Sequence, residues 1–112
     1  VIKMAKSANI ESEWSVRKTL EMILSASKKG PKEIEITLDP RANPRSILDS
    51  ICFEVVGTDD QFSMRSTCYT KTSPEKNCLG CHIPQDIVGD ESVLRFFAIT
   101  NGRTVSIELP VL

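Results

Sequence analysis

The sequence predicts an α+β domain in which an antiparallel sheet of about five strands packs against a long N-terminal helix and a short second helix. Three patterns carry this expectation. Apolar residues recur at three- and four-residue offsets within residues 2–29, residues 33–38 alternate strictly, and two apolar runs near the C-terminus flank Asn101-Gly102. A length of 112 residues supports one domain with one core.

The first element is a helix over residues 2–29. Ile10, Trp14, Leu20, Ile23 and Leu24 form its apolar stripe, which Val16 and Met22 widen. Lys29-Gly30-Pro31 ends it, because glycine suits the left-handed cap position and proline cannot continue a helix. Its start is open: Asn9 can cap a helix beginning near Ile10, or residues 2–8 extend it upstream. Residues 33–112 form the sheet-bearing part. Ile34, Ile36 and Leu38 share one face of a half-buried strand. Asn43-Pro44 then supplies an N-cap and a first-turn proline for a short helix over residues 44–50.

Residues 51–57 and 62–70 read as two strands around Thr58-Asp59-Asp60-Gln61. A hairpin symmetric about Asp60 sets Cys52 opposite Cys68, within disulfide reach. Residues 71–91 show no sustained period and read as a long irregular loop. Val93–Ile99 and Thr104–Leu109 form the last hairpin about a type I′ turn. Opposed residue numbers then sum to 203, which collects Leu94, Phe96, Ala98, Val105, Ile107 and Leu109 on one face and sets Arg95 against Glu108.

Composition narrows the function. A net charge of −1 gives no basic footprint for nucleic acid or an anionic membrane surface. No apolar run reaches the ~18 residues that span a bilayer, and no signal peptide is visible. Paired carboxylates, a nucleophile–base arrangement and a phosphate loop are all missing from the pattern, so an enzyme is not expected. The opening at Val1 and the apolar end at Leu112 suggest a domain of a longer protein.

Cys78-Leu79-Gly80-Cys81-His82 carries the chemistry. Two cysteines two residues apart and followed by histidine form the C-x-x-C-H signature of covalent haem c attachment. The thiols would add across the porphyrin vinyl groups, and His82, the single histidine of the chain, would ligate the iron. Gly80 would let the backbone wrap between the sulfurs. Met64 is the first candidate for the distal iron ligand, with Met4 and Met22 as alternatives. Phe96 and Phe97 are candidates to pack on the porphyrin, although Phe96 equally suits the sheet core. Zinc held by Cys78 and Cys81, with or without His82, together with Cys52 and Cys68 is the rival chemistry.

On Cys78, Cys81, His82 and the order of elements, the chain resembles the periplasmic haem-c sensor domains of bacterial chemoreceptors, sensor kinases and diguanylate cyclases. That resemblance implies a PAS-like sheet, one covalent haem c and a membrane-anchored parent protein. It also implies a homodimer formed through the N-terminal helix. The expected function is detection of redox state or of NO, CO or O2, signalled to a cytoplasmic output domain. The alternatives are a small electron-transfer cytochrome and a haem-free α+β interaction domain with structural or zinc-binding cysteines.

Overall fold

The computed structural model describes residues 2–71, 75–84 and 92–112, and for residues 2–11 the backbone only. Among the described residues, three helices and eight strands follow in the order α1 (Ile2–Glu21), β1 (Ile23–Gly30), β2 (Glu33–Leu38), α2 (Pro44–Ser50), β3 (Cys52–Val55), β4 (Gln61–Ser63), α3 (Met64–Thr67), β5 (Cys68–Lys71), β6 (Cys78–His82), β7 (Val93–Thr100) and β8 (Arg103–Pro110). They build two four-stranded antiparallel sheets, β1-β2-β6-β5 and β4-β3-β7-β8. The expected single PAS-like sheet of five strands is therefore replaced by two sheets sharing one core.

The continuous helix expected over residues 2–29 does not form. α1 stops at Glu21, and Ile23–Gly30 is an edge strand paired with β2. A register shift between Ile23 and Ser25 explains the misleading period. This bulge turns both Ile23 and Ala26 into the core, three residues apart, which imitates one face of a helix. Gly30-Pro31, expected to end a helix, begins the tight β1–β2 turn, with Gly30 opposite Glu33. Leu24 is exposed as a result, and so is Trp14, with Lys18 Nζ 5.3 Å from its ring centre. Val16 and Leu20 instead pack into the core, where α1 lies against β7 and β8.

Other elements form as expected. β2 buries Ile34, Ile36 and Leu38 in strict alternation. Asn43 caps α2, its side-chain oxygen accepting from the Arg45 backbone N–H at 3.1 Å. The β7–β8 hairpin keeps the predicted register, from Val93 opposite Pro110 to Thr100 opposite Arg103. Asn101 (φ 53°) and Gly102 (φ 75°) make its turn, both with the positive φ that type I′ requires. Arg95 donates to Glu108 at 2.7 Å and also to Glu54 of β3 at 2.7 Å.

The middle hairpin is different. Val55–Gly57 and Thr58 turn earlier than expected, so Cys52 faces Ser63, not Cys68. The expected second strand is split in three: β4, the single turn α3 and β5. The break carries β5 out of the second sheet and into the first. The predicted loop also hides a strand, because β6 lies within it between β2 and β5. Two stretches of that predicted loop, residues 72–74 and 85–91, lie outside the described residues.

The core joins both sheets. Phe53, Leu94, Phe96 and Val105 from one meet Ile34, Ile36, Leu79 and Cys81 from the other, with Ile47, Ile51 and Met64 from the helical connections. Val111 and Leu112 leave β8 and run beside β1: Lys28 N–H donates to the Leu112 carbonyl and Leu112 N–H to Ala26, each at 2.9 Å.

Candidate functional site on the outer face of the first sheet

β6 holds all the residues of the cysteine–histidine motif in an extended conformation, held on both sides. Cys78–His82 pair with Thr37–Glu33 of β2, and Cys78–Cys81 with Lys71–Cys68 of β5. Its start is fixed by Asn77, whose carbonyl accepts from Leu38 N–H at 2.8 Å and whose amide donates to the Asp39 and Ala42 carbonyls. Its end is fixed by Ile83 N–H donating to the Lys32 carbonyl at 2.8 Å.

Strand alternation then sorts the motif by face. Leu79 and Cys81 join the core with Ile34 and Ile36. Cys78, Gly80 and His82 belong to the outer face, across from Thr37, Glu35 and Glu33. Cys81 and Cys68 stand directly opposite and form a disulfide with Cα atoms 4.0 Å apart. A cross-strand disulfide involving Cys68 was thus expected, but its partner is Cys81 and not Cys52. Cys52 and Cys78 remain free thiols.

This arrangement does not fit haem attachment. Two thioethers need both sulfurs at one porphyrin edge, whereas Cys78 and Cys81 point to opposite faces and Cys81 is already bonded. Met64 is fully buried in the core on the far side of the sheet from His82. Met22 packs at the core edge, and the side chain of Met4 lies outside the described residues. Phe96 is a core residue, and Phe97 lies on β7 of the second sheet. Zinc fares no better with Cys81 consumed, and among the described residues no group of three or more His, Cys, Asp or Glu side chains could hold a metal ion.

The outer face is instead organised around Tyr69. Its hydroxyl reaches across β6 to donate to Glu33 Oε1 at 3.0 Å, and its ring stacks on His82 with centroids 5.0 Å apart and planes 26° apart. The ring lies over Gly80: a Cβ there would come within 2.5 Å of the Tyr69 ring. Glycine in the centre of a buried strand marks such a close approach. Beside it Lys71 Nζ donates to Glu35 at 2.8 Å. That hydrogen bond holds the Glu35 carboxyl below its ordinary value and raises the Lys71 ammonium. The hydrogen bond to Glu33 likewise raises the Tyr69 phenol.

Gly80→Ala is expected to swing the Tyr69 ring outward and break its contacts with Glu33 and His82. Because that ring is partly exposed and can move, the stability cost should stay below about 1 kcal/mol. The chain has one tyrosine and one histidine, so each ring gives a single spin system that NMR can assign. Unchanged Tyr69 and His82 resonances in the variant would contradict this packing.

Sequence reasoning identified His82 and Gly80 but passed over Tyr69, Glu33, Glu35 and Lys71. Their signal is present as two-residue spacing: Glu33/Glu35, Tyr69/Lys71 and Gly80/His82 each share one face of a strand. Pairing three such strands sets tyrosine over glycine and lysine against glutamate. No family model, no curated protein and no solved structure matches this chain.

Proposed function

We propose that this chain is a haem-free α+β interaction domain, with its cysteines structural and its recognition surface on the outer face of the first sheet. One observation carries the reading: Cys81, which haem attachment needs as a thioether donor, is bonded to Cys68 across β5 and β6. The disulfide is of the kind that persists in oxidising, extracytoplasmic compartments. The proposed location is the periplasm or an equivalent space outside the cytoplasm. Among the described residues no helix is long and apolar enough to cross a membrane. The role is binding, with the Tyr69–Glu33 and Lys71–Glu35 pairs holding the polar groups of this face in fixed positions.

The haem-c sensor remains the competing reading, favoured by the C-x-x-C-H run itself. It requires Cys68–Cys81 to open and β6 to turn so that both sulfurs face one way. Expression alongside c-type haem maturation machinery separates the two. The expected product is colourless, has the mass of the bare chain less two hydrogens, and reacts with two equivalents of thiol reagent after unfolding. A Soret band with haem retained after denaturation would overturn the interaction-domain reading.

A further inference from the structure

Next to the Tyr69–His82 pair, the β1–β2 turn and the end of β6 border an open surface concavity of about 400 Å3 lined by Gly30, Pro31, Lys32, Glu33 and His82. This lies within the size range of small-molecule clefts. The geometry points to a binding site for one pyranose ring of a glycan, a deepening of the interaction-domain reading on which it rests.

Three features select that chemistry. First, the walls contributed by Gly30, Pro31 and the His82 imidazole are apolar or aromatic, which suits the C–H face of a sugar ring. His82 is held in place by its stack on Tyr69, so little side-chain freedom is lost on binding. Second, the polar groups at the rim are one acceptor and one donor. Glu33 gives Oε1 to the Tyr69 hydroxyl, leaving Oε2 without a hydrogen bond among the described residues. Lys32 forms no ion pair among the described residues, while its carbonyl is fixed by Ile83. Vicinal hydroxyls, which donate and accept together, match such a pair. Third, the lining pairs one lysine with one glutamate and so has no net charge of its own, while Lys29 beside Gly30 adds a positive field whose weight the phosphate arm of the test reads.

The test is titration of the disulfide-intact, haem-free protein with the methyl glycosides of glucose, galactose, mannose and N-acetylglucosamine, up to concentrations on the order of 10 mM. The expected result is a saturable displacement of the His82 and Tyr69 ring resonances by at least one sugar. His82→Ala should weaken that binding about five- to tenfold, read on Tyr69. No displacement by any of the four sugars overturns the site. Displacement by phosphate or tetramethylammonium but by no sugar overturns it in favour of a charged ligand. Failure of the underlying reading has a different signature, a Soret band, which is seen before any sugar is added.

Discussion

Replacing both bridging cysteines, Cys68→Ala with Cys81→Ala, is expected to lower unfolding stability by about 3 kcal/mol. The bridge closes a loop with a sequence separation of 13, and the lost chain entropy of a loop that size is of this order. The paired substitution avoids leaving a buried thiol with no partner. A domain of this length is held by roughly 5–15 kcal/mol, so the loss is a large fraction of the total. Urea denaturation of the variant, compared with the parent with and without a dithiol, measures it. The reduced parent and the double variant should coincide. Equal midpoints for the variant and the oxidised parent would mean that the bridge adds nothing. The damage should begin at β5, a four-residue edge strand held otherwise by its ladder to β6, the Cys68 N–H bond to the Met64 carbonyl, Tyr69–Glu33 and Lys71–Glu35. Amide exchange at residues 68–71 should therefore accelerate first.

Phe53→Ala is expected to cost about 3–5 kcal/mol, the usual result of emptying an aromatic site in a packed core. Phe53 is fully buried on β3, between β4 and β7. Its ring centre lies 5.3 Å from that of Phe62 and 6.0 Å from that of Phe96, so truncation removes two aromatic contacts together with the buried area. Phe53→Leu, which keeps most of the volume, should cost less than half as much. Chemical denaturation with an unchanged slope against denaturant would confirm that stability alone has moved. A loss below about 1 kcal/mol for the alanine variant would place the centre of the core elsewhere.

Local signals in this sequence were legible where one short stretch decides the structure. The Asn101-Gly102 turn sets the β7–β8 register, Asn43-Pro44 starts α2, and the alternation of Ile34, Ile36 and Leu38 makes β2. Errors gathered where a distant partner decides. The three-residue spacing of Ile23 and Ala26 satisfies a helix as well as it satisfies a bulged strand, and only pairing with β2 separates the two. Residues 62–70 have strand character throughout, yet the single turn at Met64–Thr67 diverts the chain between sheets. In β6 the glycine and prolines nearby read as loop, because the flanking strands that order it lie more than forty residues upstream at β2 and across the disulfide at β5. The site followed the same logic. A five-residue motif can be recognised in isolation, but the side to which each cysteine points depends on the strand that contains it. The face on which Tyr69, Glu33 and His82 meet exists only once three strands are aligned.

The order in which the chain visits its sheets has a mechanical consequence. β1 and β2 lie in the first sheet, β3 and β4 in the second, β5 and β6 return to the first, and β7 and β8 to the second. The central ladders, β2 to β6 and β3 to β7, each join the earlier half of the chain to the later half. No single cut of the backbone can release one sheet intact from the other. The two are threaded like interlaced fingers, and although an edge strand such as β5 can fray, the central strands of one sheet are continuous in the chain with those of the other. Through the shared core and these crossings, the inner face of the first sheet also packs against the second, so the two are expected to unfold together.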